Sequence, residues 1–386
     1  MTENFERSTL LTPLFVGFFF VEFLSFFGFQ MLNTQLSMYV TTIGGGNGAI
    51  GLASCAMTAA IAFSRPVAGA LLDSYGKRKI LIPAQACIIF AALAHGFAGC
   101  IPALIAVRAM YGFSWAFSDT ALNAIVAGIL PRKRIGTGMG IFTIAIGLSM
   151  SIAPAIGFSV SAGSGFHNLF KLCAAAAAGA MALSIFICRS DGGSGAAKGP
   201  AKLFLPSSLP YGLLIGSVMF VSSSIASFIP LYAMESGAHS AVPFFTLSAI
   251  TSLIARPMVG RLVDSHAPRT VIFPSLLILA FSCLALAAAP FRGWMLLVAA
   301  TYGISFGSLL GGLQAITLAG ASRDNYGAAI ATFFLCFDIG NGIGPLFAGQ
   351  LANRIGFGST YGTIGILVCA LAFSYALSTA RKAHAN

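Results

Sequence analysis

Charge is what this sequence lacks. Only 8% of its 386 residues are Asp, Glu, Lys or Arg, and just 10 are acids, whereas a soluble domain carries about a quarter of its residues as charges. A chain this poor in charge cannot dress a surface for water, which excludes a soluble enzyme or a solvated interaction domain. The motifs of phosphate and peptide-bond chemistry are missing as well. There is no Walker motif, no H-E-x-x-H and no nucleophile elbow at a strand-to-helix turn, so ATP-driven transport and membrane hydrolysis have no support. "GGGNG" at 44–48 has no strand before it and reads as a loop rather than a phosphate cradle. The eight cysteines fall singly within apolar stretches, without a C-x-x-C pair or a Cys/His cluster. They read as small buried hydrophobes, and no metal or other cofactor is implied.

What the chain does have is length of apolar run. Hydrophobic residues make up 57% and mean hydropathy is +0.90. A bilayer-spanning helix takes about 20 apolar residues, and twelve such runs are present: 11–38, 48–72, 79–99, 101–129, 137–160, 168–189, 209–234, 241–264, 271–289, 293–319, 327–351 and 358–380. They are continuous and rich in Gly and Ala, as packed membrane helices are. A strand-built barrel would show short alternating segments instead. The fold class is therefore all-α, a polytopic membrane protein of 12 transmembrane helices. The N-terminus carries two acids and the run after it is too long for a signal-peptide core, so that run is expected to be the retained first helix.

The net charge of +11 would suit nucleic acid were it not for its distribution. With the N-terminus inside, fifteen of the 21 Lys/Arg fall on the cytoplasmic side, among them Lys77, Arg78, Lys79, Arg132, Lys133 and Arg134. Lys171, Arg292 and Arg354 fall outside. That asymmetry orients a membrane protein and predicts both termini in the cytoplasm. The compact loops suggest a bacterial inner membrane.

"RPVAGALLDSYGKRKILIP" (65–83) returns as "RPMVGRLVDSHAPRTVIFP" (256–274), 191 residues later. The same offset carries Tyr111-Gly112 to Tyr302-Gly303, Gly136 to Gly327, Phe142 to Phe333 and Pro154 to Pro345. A six-helix unit has been duplicated, and an even number of helices leaves both copies in the same orientation. The expected division is an N-terminal bundle over 1–189, a flexible cytoplasmic linker over 190–208, rich in Gly, Ser and Pro, and a C-terminal bundle over 209–386.

"GALLDSYGKRK" resembles the loop signature of the major facilitator superfamily, G-x-L-x-D-x-x-G-R-K/R, through Gly69, Leu71, Asp73, Gly76, Arg78 and Lys79. "GRLVDSHAPR" is its degenerate second copy, with Gly260, Asp264 and Arg269. The resemblance covers the whole chain and implies the two-bundle transporter fold. It also implies that this loop latches the halves on the cytoplasmic side. Asp73 would meet the start of helix eleven near Gly327, and Asp264 the start of helix five near Gly136, since helix N-termini favour anions.

Ionisable groups at bilayer depth are costly and face a cavity or a partner. Here they are Glu22, Arg108, Asp119 and Asp338. In helix four, Arg108 and Asp119 share one face with Tyr111 and Trp115 and lie about 16 Å apart along it, either lining a cavity or making static interhelical pairs. In helix one, Glu22 has Ser25 and Asn33 within about 60° of its face. Desolvation favours its neutral form and a nearby guanidinium its charged form, so it either exchanges protons or pairs permanently with Arg108. Asp338, with Asn341 on a neighbouring face, is the second-half counterpart, beside a possible hinge at Gly340, Gly342, Gly344 and Pro345. Arg65 and Arg256 read as snorkelling or capping residues, and His95, His239 and His266 as structural.

"RAMYG" (108–112) resembles the superfamily's R-x-x-x-G, which its proton-coupled exporters tie to coupling. "GIFTIAIGLSMSIAPAIG" resembles the antiporter signature of helix five through Gly140, Pro154 and Gly157, while Ser149, Ala153 and Phe158 depart from it. The resemblance implies a secondary transporter that works by alternating access, a proton-coupled exporter of a small molecule and expected to be a monomer. The rivals are an importer of a small organic acid or sugar, with Arg108 as its anion clamp, and a non-transporting membrane receptor or scaffold.

Overall fold

Described in a computed structural model are residues 11–189, 202–235, 242–265, 268–288 and 294–384. Most of the expected linker, with Arg7, Lys198, His239, His266 and Arg292, lies outside them. The apolar runs all fold as helices: α1 Pro13–Thr34, α2 Asn47–Tyr75, α3 Lys77–Ala94, α4 Ile101–Ile129, α5 Ile135–Ser164, α6 Phe166–Arg189, α7 Leu209–Glu235, α8 Val242–Ser265, α9 Pro268–Ala288 and α10 Met295–Ala319. The final run, Tyr326–His384, is broken at Gly356 (φ 78°, ψ 164°) into α11 before it and α12 after it. There is no strand among the described residues. Ten stretches are long and apolar enough to cross a membrane; one of them, Arg323–Thr379, contains both α11 and α12. The 29-residue α4 completes the twelve.

Local chemistry sets the ends. Thr12 caps α1, its Oγ1 accepting from Phe15 N at 3.2 Å, with Pro13 in the first turn. The first run does not stay in one piece to 38. Its helix ends at Thr34, and a separate short helix, Leu36–Thr42, follows. Gly76 turns α2 into α3 with φ 96°, a backbone that L side chains resist, which is why the loop signature needs Gly there. Large apolar side chains such as Phe63, Phe90 and Phe186 stand outward, as lipid-facing surface does. Among the described cysteines, Cys173 and Cys283 are buried, but Cys55, Cys87 and Cys100 are exposed, so the reading of all of them as core residues was too broad. Being apolar, they are as much at home against lipid.

Two compact units emerge. The first comprises Met1–Arg132, Phe142–Leu209 and Gly320–Leu335; the second comprises Lys133–Ile141, Pro210–Ala319 and Cys336–Asn386. Each thus holds the first turns of one helix from the other sequence repeat, α11 in the first unit and α5 in the second. Within the first unit α2 packs on α4 with Gly112 against Met57 O. Within the second, α8 packs on α10 with Gly303 against Ser248 O, the same pair 191 residues on. The end of the expected linker is also packed: Leu205 is buried and its N–H donates to Thr332 Oγ1 at 3.0 Å.

Candidate functional site

Three charges come together in the first unit, on α1, α2 and α4. Glu22 is 9 residues into α1 from Pro13, while Arg65 and Asp119 each stand 10 residues short of the ends of α2 and α4. The helices alternate in direction, so all three lie at one depth, about 15 Å in from the same ends. Arg65 Nη1 is ion-paired with Asp119 Oδ2 and donates to Thr120 Oγ1 at 3.1 Å. Asn123 Nδ2 donates to the other oxygen of Asp119 at 3.0 Å. Glu22 is fully buried, and neither of its carboxyl oxygens has a hydrogen-bond partner among the described residues. Among the described residues, Asp119 and Arg65 act on it electrostatically.

Arg108 is elsewhere. Its Nη2 donates to Asn33 Oδ1 at 2.8 Å, and its Nε and Nη1 have no hydrogen-bond partner among the described residues. The pairing of Glu22 with Arg108 weighed from the sequence does not form, and the register of α1 against α4 explains it. The helices run antiparallel with Asn33 opposite Arg108. Moving 11 residues back along α1 reaches Glu22, and 11 residues on along α4 reaches Asp119. Both steps cover about 16 Å in the same direction. Glu22 therefore faces Asp119, and Arg108 is a full 16 Å step away. Tyr111 and Trp115 lie between these levels, buried in an aromatic cluster with α1. Trp115 stacks on Phe29 at 4.1 Å and meets Phe26 edge-on at 5.6 Å. Ser25 is buried and Asn33 half-buried. His95 is buried, its Nδ1 2.7 Å from Ala91 O.

Arg65 is the residue that sequence reasoning misjudged. It neither snorkels nor caps; it is 2% exposed and holds the ion pair. Its signal was the spacing. Arg65, Gly69 and Asp73 recur every four residues and so share one helix face.

That face meets α11 within the first unit. Asp73 accepts from Gly327 N at 2.8 Å and from Ala328 N at 2.9 Å, a carboxylate on the exposed donors of a helix start. A Cβ on Gly69 would come within 2.6 Å of Ala331 Cβ and 2.7 Å of Gly327 O, so only Gly allows this approach. Arg65 lies over the Phe334 ring at 4.7 Å. Beside the seam, Lys77 reaches Ala124 O and Arg323 O at 3.4 Å and stands over the Tyr326 ring at 5.2 Å. A pocket of about 260 Å³ opens here, lined by Asp73, Gly76, Lys77, Arg78, Arg323 and Asp324.

The second unit repeats the seam between α8 and α5. Asp264 accepts from Gly136 N at 2.7 Å, Thr137 N at 2.8 Å and Thr137 Oγ1 at 2.6 Å. Gly260 packs on Gly136, and Gly140 on Arg256 O. Arg269 is exposed. Asp338 is buried and Asn341 exposed. A larger apolar hollow of about 440 Å³ between α7, α11 and α12 is lined by Phe220, Cys336, Ile343 and Leu367, with Gly340 of the hinge read from the sequence, and by none of the ionisable candidates.

Comparison with known proteins agrees with this architecture. The family model of the Major Facilitator Superfamily matches residues 18–245 and 212–386. Among curated relatives, a "Multi-drug resistance efflux pump PmrA homolog" of Lactococcus lactis is 22% identical over 374 residues, covering 92% of this chain and 91% of that one. A "Multidrug resistance protein MdtG" of Citrobacter koseri is 25% identical, covering 93% and 91%. Among solved structures, the human organic anion transporter MFSD10 superposes with a TM-score of 0.80 at 16% identity, covering 94% of this chain and 99% of that one.

Proposed function

The chain belongs to the major facilitator superfamily, and from that membership we propose that this multi-pass membrane transporter of small molecules is a proton-coupled exporter working by alternating access. The observation that carries the coupling is a lone carboxyl beside a buried ion pair. Glu22 is fully buried next to the Arg65–Asp119 pair, and neither of its oxygens has a hydrogen-bond partner among the described residues; a second carboxylate so placed ionises only at a cost. Glu22 is therefore the group that takes up and gives off a proton. A site that holds one exchangeable proton at bilayer depth is what a proton-driven carrier requires. Export is favoured by the relatives, one named as a multi-drug resistance efflux pump and one as a multidrug resistance protein.

In this reading the carrier acts as a monomer with both termini in the cytoplasm, and its repeats, 1–189 and 209–386, rock about a midplane substrate site joined by the 190–208 linker. Asp73 and Asp264 latch α11 and α5 while the cytoplasmic side is closed. A proton entering from outside neutralises Glu22 as substrate leaves to the outside, and it is released to the cytoplasm when the next substrate binds there. In reconstituted liposomes Glu22→Gln should keep equilibrium exchange of substrate and lose uphill transport driven by a pH gradient. Full pH-driven accumulation by that variant would sink the assignment and leave Asp338 as the next candidate.

One observation favours a second reading. The buried Arg108 guanidinium has Nε and Nη1 without a hydrogen-bond partner among the described residues, and a small organic acid carried by symport would complete it. Direction decides: cells lacking the exporter over-accumulate a cationic dye, whereas cells lacking the importer take up less acid.

A further inference from the structure

We propose that the interior of the first unit, where α3 packs on α4 and α6, holds a track of ordered water along which Glu22 exchanges its proton with the cytoplasm. The inference rests on the reading of Glu22 as the proton site. Three side chains carry it. Gln85 on α3, Ser118 on α4 and Ser184 on α6 are 1%, 0% and 0% exposed. Neither amide atom of Gln85 and neither hydroxyl has a hydrogen-bond partner among the described residues. A buried serine in a helix can donate to the carbonyl four residues back, as Ser114 does to Met110 O and Ser149 to Ala145 O, both at 2.9 Å. Ser118 and Ser184 do not. Buried polar groups left over in this way are the ones that ordered water serves.

Their placement makes a path. One buried apolar cluster contains Ala92 of α3, Tyr111 of α4 and Ala177 of α6. Seven residues from each, toward the ends that the charge distribution places in the cytoplasm, stand Gln85, Ser118 and Ser184. Seven residues are two turns and return to within about 20° of the same face, so each polar group continues the face its helix turns to that cluster. Counted from the helix ends at Ile129, Lys77 and Arg189, Ser118 lies about 16 Å deep, Gln85 about 12 Å and Ser184 about 8 Å. Ser118 adjoins Asp119 in the chain, at the level of Glu22, and the other two descend from it. Axial steps of about 4–5 Å are what one or two bridging waters span. Hydroxyls and water both donate and accept and so pass protons, while the Gln85 amide, with a donor end and an acceptor end, holds water between the two serines.

The second repeat supplies the comparison. At 191 residues on from Glu22, Gln85, Ser118 and Ser184 stand Leu213, Leu276, Leu309 and Tyr375, and Leu276 and Leu309 are fully buried. The fold accepts leucine at these places, and a buried polar group without a partner costs stability that leucine would not. Of the two repeats, the one that carries Glu22 is the one that keeps the polar residues.

Silver ions, small enough to follow water, test the track from each side of the membrane. In the full-length protein with its native cysteines replaced, silver added to inside-out vesicles should block both Ser118→Cys and Ser184→Cys. Brief addition to intact cells should leave both reactive. Adding Gln85→Leu should protect Ser118→Cys and leave Ser184→Cys open to silver, because Gln85 lies between them. Infrared spectroscopy of the otherwise native protein in nanodiscs reads the service to Glu22. The carboxyl band that Glu22→Gln lacks should take up deuterium from D2O severalfold more slowly in Gln85→Leu, whose thermal stability should match or exceed that of the wild type. Silver that reaches neither cysteine, that reaches both in intact cells, or that still blocks Ser118→Cys behind Gln85→Leu would overturn the track. Silver access with an unchanged exchange rate at Glu22, or slowed exchange that merely follows a loss of stability, would overturn its role in proton exchange while the reading of Glu22 stands. A Glu22→Gln variant that keeps full pH-driven accumulation would overturn the proton site and the track with it.

Discussion

A guanidinium buried with two carboxylates has a spare partner, and that redundancy can be measured. Asp119→Asn removes the carboxylate that Arg65 now holds, but Glu22 is close enough to act on the same cluster and can take its place. The single substitution should therefore be mild. Glu22→Gln with Asp119→Asn takes both of these carboxylates from around Arg65, which is 2% exposed, and removing one partner of a buried pair costs about 3–5 kcal/mol. Unfolding in mixed micelles should show the double variant falling well below the sum of the singles, a coupling that a double-mutant cycle isolates. Additive losses would mean that Glu22 and Arg65 do not communicate. At this scale the sequence was half legible. Glu22 and Asp119 stood out as acids in apolar helices, whereas Arg65 was hidden because a cation ten residues from a helix end also suits snorkelling. The identity of its partner depends on interhelical register, which no single helix encodes.

Paired helix starts are the next level, and here the repeat made the sequence unusually readable. The offset that carries Asp73 to Asp264 also carries Gly136 to Gly327, and each carboxylate sits on the matching glycine amide. Anion binding at a partly buried helix N-terminus contributes up to about 2 kcal/mol. Asp73→Asn loses the charge and turns an amide donor toward one of the two N–H groups, so the latch equilibrium should shift by about tenfold, the equivalent of about 1.4 kcal/mol. Transport rate should change accordingly, with expression and insertion unaffected. Asp264→Asn should act in the same direction but less, since Asp264 is half-buried and Asp73 is 7% exposed. Normal turnover by Asp73→Asn at normal expression would reduce the motif to a topology signal. What the repeat could not reveal is Lys77, whose contacts with Arg323 O and the Tyr326 ring arise only once α11 has docked.

For the whole molecule, the direction of transport depends on which way the chain lies in the membrane, and that rests on charge outside the helices. The excess of Lys and Arg on one set of loops predicts that the α4–α5 connection, with Arg132, faces the cytoplasm and that the α3–α4 connection faces outside. Two exposed positions test it. Cys100 is a native, exposed thiol just before α4, and Arg132 is exposed just after it. In a background whose other cysteines are replaced, a membrane-impermeant maleimide should label Cys100 in intact cells. A cysteine at position 132, made by Arg132→Cys with Cys100 replaced, should react only after permeabilisation. The 29 residues of α4 lie between the two positions, about 43 Å of rise, enough to put them on opposite sides of a bilayer. The reverse pattern would place the Asp73 and Asp264 latches outside the cell, where they could not close the cytoplasmic side during the proposed export cycle.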